Sequence, residues 1–102
     1  EEGKAMSYAK HLTKDRRLVM LRVLANSPGY SANEYTIEAV LEDLGHVISN
    51  DLLRGEIAWL AEQQLITTSQ VGGVTIAKIT QRGLDIARGK AMHPDVQRPR
   101  PE

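Results

Sequence analysis

Hydrophobic positions along the 102-residue chain change period twice, and those changes mark out its elements. Between Ser7 and Ala25, the residues Leu18, Leu21, Leu24 and Ala25 form an apolar stripe at helical spacing, flanked by Tyr8, Leu12, Val19 and Val23. This predicts a first helix, with Thr13 as a point where it can break. Ser27-Pro28-Gly29 ends it, because proline cannot continue the hydrogen-bond ladder and glycine tolerates a turn. Ile37, Val40, Leu41 and Leu44 then recur at i, i+3, i+4 and i+7 and predict a second helix. Ser31-Ala32-Asn33-Glu34 ahead of it reads as a capping box: the Ser31 oxygen takes the Glu34 N–H, and the Glu34 carboxylate returns to the Ser31 N–H. Tyr30 and Tyr35 stand at hydrophobic-staple positions, and Gly45 suits the left-handed residue that follows a last turn. A third helix starts at Ser49 as N-cap, with Ile48 and Leu53 as its staple. It buries Leu53, Ile57, Leu60 and Ala61 and ends near Gln64.

Past Gln64 the period becomes that of a strand. Ile66–Val71 and Val74–Ile79 are short and β-branched, and Gly72-Gly73 between them fits the positive-φ turn of a tight hairpin. Such a turn pairs Val71 with Val74, Thr68 with Ala77 and Ile66 with Ile79. It leaves Val71, Val74 and Ile76 on one face and Ile66, Ala77 and Ile79 on the other. Thr80 caps a last short helix, Gln81 to Arg88, closed by Gly89. The pattern therefore predicts one α+β domain over residues 6–89. Glu1 to Ala5 precede the first methionine, Met6, and read as a cloning remnant outside the fold. Residues 90–102, with Pro94, Pro99 and Pro101 beside Arg98 and Arg100, read as a flexible tail.

Three helices, a hairpin and a closing helix form the winged helix-turn-helix arrangement, and local motifs add to the likeness. The run from Ile48 through Ser49, Asn50, Asp51, Leu52, Leu53, Arg54, Gly55, Glu56 and Ile57 to Leu60 resembles the recognition-helix segment of bacterial winged-helix regulators. Leu65-Ile66 resembles their approach to the wing, with Gln64 where those families usually carry glycine. Ile79-Thr80-Gln81-Arg82-Gly83 resembles the leucine–threonine–x–x–glycine stretch that follows their wing. Met6 to Leu12 and Trp59 to Gln63 are similar to small winged-helix proteins of Mu-like prophages, grouped with ArsR- and DeoR-type regulators. The resemblance implies a winged-helix fold and a DNA-binding transcriptional regulator; with no N-terminal stretch that reads as a signal peptide, the expected location is the cytoplasm.

Composition changes this picture in three ways. The chain has no cysteine, which removes disulfides, thiolate metal sites and a cysteine nucleophile. Its longest apolar run, Ile57 to Ala61, is far short of the roughly 20 residues of a membrane helix. Lys+Arg and Asp+Glu both number 13, so bulk charge does not hold nucleic acid. The balance is uneven along the chain, however. Residues 1–30 carry six bases and three acids, residues 31–64 one base and seven acids, and residues 65–102 six bases and three acids. The helix-turn-helix segment is thus the acidic part.

A helix-turn-helix protein places outward residues of its third helix at base edges. Here that outer face holds Asp51, Gly55, Ala58 and Glu62, with Asn50 and Arg54 at its flank as the residues able to pair with adenine and guanine. Phosphate contacts then fall to Arg16, Arg17 and Lys78, together with the other bases near the two ends. An alternative is a protein-interaction or homodimer interface built on Leu52, Trp59, Val71, Val74 and Ile76, a set of apolar residues that one small core does not fully absorb. His11, His46 and His93 lack metal-ligand spacing and read as surface or capping residues. Ser49 reads as a cap and Gly72-Gly73 as a turn, so no cofactor, metal site or enzymatic centre is expected.

Overall fold

The computed structural model describes residues 2–100, with side chains from Ser7 onward. Four helices and a three-stranded antiparallel sheet make an α+β domain whose element order is compatible with a winged helix. The elements are α1 (Glu2–Ala25), β1 (Ser31–Asn33), α2 (Glu34–Asp43), α3 (Asn50–Glu62), β2 (Ile66–Val71), β3 (Val74–Ile79) and α4 (Gln81–Ala87). The strand order β1-β3-β2 puts β3 at the centre.

The apolar stripes become the core. Leu18, Leu21 and Leu24 of α1, Ile37 and Leu41 of α2, and Leu53, Ile57 and Leu60 of α3 are buried, and Met20 joins them. Leu44 is 60% exposed, because α2 stops at Asp43 and leaves Leu44 as its C-cap. The hairpin register is the one the pattern predicts: Val71 faces Val74, Thr68 faces Ala77 and Ile66 faces Ile79. Gly72 and Gly73 have φ of 56° and 79°, the pair of positive values that a type I′ turn requires. Ile66, Ala77 and Ile79 point into the core, while Val74 and Ile76 are half-buried and Val71 is 62% exposed.

The three shorter helices end alike. His46, Leu65 and Lys90 each donate a backbone N–H across six residues, to Leu41, Leu60 and Asp85, after a left-handed residue: Gly45, Gln64 and Gly89. Gln64 is the costly one, since a side chain at φ 63° meets the steric penalty that glycine avoids. Ser49 and Thr80 cap α3 and α4 as expected, accepting from the N–H groups of Leu52 and Gly83. Gly83 also has a packing reason. A Cβ there would run into the Leu65 carbonyl oxygen and lie 2.6 Å from Ile79 Cγ1, so α4 approaches the start of β2 too closely for a side chain. That accounts for glycine in the threonine–x–x–glycine stretch.

Several expectations change. The Ser31–Glu34 capping box does not form. Ser31, Ala32 and Asn33 instead pair with Lys78, Ala77 and Ile76 as an edge strand, and Asn33 caps α2 by accepting from the Thr36 N–H at 2.9 Å. Tyr30 and Tyr35 are 42% and 55% exposed and make no staple. The first helix is unbroken at Thr13, whose hydroxyl donates back to the Ala9 carbonyl, and it begins at Glu2, so Glu2 to Ala5 are helical. The segment after Gly89 is docked: Val96 is 5% exposed, and the Gln97 N–H donates to the Lys14 carbonyl at 3.1 Å. Glu1, Pro101 and Glu102, at the outer ends of the leading and trailing segments, lie outside the described residues.

Candidate functional site

The outer face of α3 is where a helix-turn-helix protein would meet DNA. Asp51, Gly55, Ala58 and Glu62 are all exposed on it, as the helical period requires. Its flank is organised by a residue that the sequence pattern assigned to a cap. Glu34 opens α2 with its side chain fully buried. Arg54 of α3 donates to it from Nε at 2.9 Å and from Nη2 at 3.3 Å. Thr75 of β3 donates its backbone N–H at 2.6 Å, and Asn50 donates from Nδ2 at 3.2 Å. Asn50 also reaches Glu38 at 3.4 Å. One carboxylate thus joins α2, α3 and the hairpin.

The Arg54 guanidinium, followed by the Thr75 N–H, holds the Glu34 carboxyl down to about 2, against the upward push of burial. The same pairing raises Arg54 above its ordinary value. Half of the Arg54 side chain stays exposed, so it is anchored on one edge and open on the other. Arg54 and Asn50, both expected at base edges, are therefore brought together, but on an acid rather than apart in solvent.

Arg16 and Arg17 do not face solvent. Their side chains are 11% and 15% exposed and converge on Glu56, a buried acid of α3. Arg16 Nη1 lies 3.3 Å from Oε2, and Arg17 reaches Oε1 from Nε and Nη2 at 3.3 and 3.2 Å. The Arg17 guanidinium also lies 3.7 Å from the centre of the Trp59 ring and donates to the Asp95 carbonyl. These internal contacts take both arginines out of the set that would bind phosphate. Lys78 is exposed on β3 between Ser31 and Thr67.

The apolar set divides as well. Leu52 is 45% and Val71 62% exposed. Trp59 is half-buried in its own chain: Arg17 covers its face, and the His93 ring meets it edge-on with centroids 5.2 Å apart. His93 is thus a packing residue. Its Nδ1 accepts from the Asp95 N–H, which leaves Nε2 to donate to Gln63 Oε1 at 3.0 Å. His46 is buried rather than on the surface, and its Nε2 lies 2.8 Å from Asp15 Oδ2.

Glu34 and Glu56 are the residues that periodicity alone misassigned or passed over. The signal was present: Glu34 continues the Ile37–Leu41 stripe backwards, and Glu56 falls within the Leu53–Ile57–Leu60 stripe. An acid on a buried stripe needs a cation across the core. Among the described residues no group of three or more His, Asp or Glu side chains is placed to hold a metal ion. None of the described helices is long and apolar enough to cross a membrane.

The chain is similar to the protein gp26 of Escherichia phage Mu, described as uncharacterized, at 47% identity over 90 residues, which is 88% of this chain and 93% of that protein. It is also similar to an uncharacterized protein of Haemophilus influenzae, at 48% identity over 80 residues and 78% of each chain. No family model and no solved structure matches.

Proposed function

The chain belongs to the family of the phage Mu protein gp26, and we propose that it is a winged helix-turn-helix protein that associates with duplex DNA as a regulator. The observation that carries this reading is the anchoring of Arg54. Glu34 fixes its guanidinium by two contacts and accepts from Thr75 in the hairpin, so one buried group sets the geometry of the reading helix and the wing together. A guanidinium held on one edge keeps donors for a base at little cost in side-chain freedom. Asn50 sits one turn earlier with its amide held by Glu34 and Glu38. Asp51 and Glu62 border the face, which makes the contact narrow: one guanine-type contact, with little attraction for phosphate beside it.

A duplex selection from a random library tests this. Enrichment of a short motif is expected, and Arg54→Ala should relax preference at one position of it by about 1–3 kcal/mol. A library that emerges unenriched would sink the reading. The second reading, a protein-interaction or dimer module, is favoured by Leu52 and Val71, which remain exposed. Trp59 no longer contributes to it, since Arg17 and His93 occupy its ring. Sedimentation of the parent chain and of Leu52→Ala tests that reading, and a monomeric parent rejects its self-association form.

A further inference from the structure

We infer that the protein carries a separate site for a nucleic-acid phosphate backbone, on the surface where α1, the end of α4 and the C-terminal segment meet. Arg22, Arg98 and Arg100 line one cleft there together with His11. Arg88, Arg98 and Arg100 line a second, and Arg22 and Arg88 a third. The shared residues make these clefts one continuous surface with four guanidinium groups.

None of these four bonds to an acid among the described residues. Among the described residues, the ion pairs of the arginines are those of Arg16, Arg17 and Arg54 with Glu56 and Glu34. The acid that lines the arginine surface is Asp15, and its Oδ2 is engaged with His46 Nε2 at 2.8 Å. Four guanidinium groups against the single carboxylate of Asp15 leave this surface net positive among the described residues, and like charges left in excess cost stability, so such a cluster is better explained by an anion from outside than by the fold.

The cluster is also held in place. Arg98 and Arg100 follow directly on the buried Val96 and on Gln97, whose N–H is bonded to the Lys14 carbonyl. Pro99 lies beside Gly89, its Cγ 3.9 Å from where a Cβ on that residue would stand, so the segment crosses from α1 to the end of α4. The site therefore does not depend on a loose tail finding its ligand.

Its placement separates it from α3. Arg16 and Arg17 turn towards Glu56 of α3, and at 3.6 residues per turn Arg22 stands on the opposite side of α1, roughly 120° from the one and roughly 140° from the other in opposite senses. The arginine surface thus faces away from α3 and does not require that helix to read bases. A phosphate backbone suits it better than an acidic protein does. The clefts offer several planar guanidinium forks, and among the described residues no Trp, Tyr or Phe lines them as an anchor of the kind common in protein interfaces.

The test is binding of the full chain to a labelled random-sequence duplex, followed by fluorescence anisotropy across a salt series. Each phosphate neutralised contributes a slope of about −0.9 in log affinity against log salt. The triple variant Arg22→Gln, Arg88→Gln, Arg98→Gln is expected to make the slope shallower by about 3, and Arg54→Ala to leave it within about 1. The pair Arg98→Gln, Arg100→Gln, beyond the last helix, repeats the measurement with an expected change of about 2 and little risk to folding. An unchanged slope in both multiple variants would overturn the site. So would no duplex binding by the parent together with capture on poly-glutamate, which would assign the surface to an acidic protein. The motif selection that tests Arg54 is read separately, so either conclusion can fail alone.

Discussion

Arginine plays opposite parts on the two sides of α1. On the side facing α3, Arg16 and Arg17 close on Glu56. Arg54 does the same on Glu34 beyond it. On the other side, Arg22, Arg88, Arg98 and Arg100 surround open clefts and bond to no acid among the described residues, where the one acid lining the clefts, Asp15, meets His46 instead. Residue type and local sequence do not separate the two groups, since Arg16, Arg17 and Arg22 stand within a single helix. A buried carboxylate within reach does. Arg16, Arg17 and Arg54, which position in the sequence would hand to DNA, are spent on holding helices together, and the arginines left over are elsewhere on the surface.

The sharpest way to break this contrast is to remove the acid. Glu56→Ala leaves two largely buried guanidinium groups facing a gap, one of which already has its Nε without a partner. Losing one side of a buried ion pair costs about 3–5 kcal/mol. A domain of this size commonly has about 5–15 kcal/mol in total. Urea denaturation should therefore show a midpoint shifted far down with an unchanged m-value. A loss below about 1 kcal/mol would mean that Glu56 is not what holds Arg16 and Arg17 inward.

Why such pairs escape a reading of the sequence follows from how they form. The stripes of α1, α2 and α3, the caps at Ser49 and Thr80 and the register around Gly72-Gly73 are local, set by residues within a few positions of one another, and they were legible. Glu56 meets its arginines 39 and 40 positions away, and Glu34 meets Arg54 at 20 and Thr75 at 41. Ser31–Asn33 becomes a strand only because β3 arrives beside it, so a serine followed three residues on by a glutamate was a reasonable capping box until a distant partner competed for it. The docked C-terminal segment has the same origin. It holds one buried apolar residue, Val96, too little to show as a pattern, and its anchors on Gln63, Lys14 and Arg17 all lie far back in the chain.

A smaller effect is expected at Glu34, because its main partner is half exposed, and acid resolves it. Its carboxyl sits near 2 in the folded protein against an ordinary 4.5, so the folded state prefers it ionised. The stability this contributes is complete above about 4.5 and is lost as pH falls from there towards 2. Glu34→Gln keeps the shape and removes the titration. Its stability curve should run below the parent at neutral pH and converge with it across that acidic window. Parallel curves from pH 5 to about 2 would show that Glu34 does not carry the parent's acid sensitivity. Above that window, the variant should also loosen Arg54 and weaken any base preference it supplies, while leaving the salt dependence of the arginine surface alone.

The smallest expected effect is the most informative about the other side of the comparison. Arg22→Gln and Arg88→Gln remove exposed guanidinium groups that bond to no acid among the described residues. Surface substitutions away from such features change stability by no more than about 0.5 kcal/mol. Relief of repulsion among the four arginines favours the variants slightly, and the loss of alkyl packing along α1 and α4 opposes it. Unfolding midpoints in urea should therefore match the parent, at low and at moderate salt alike. If either substitution destabilises the chain by more than about 1 kcal/mol, that arginine is structural, and its role parallels Arg16 and Arg17 after all. If both are silent in stability and still flatten the salt dependence of duplex binding, the free arginines are separated from the structural ones by experiment as cleanly as they are by geometry.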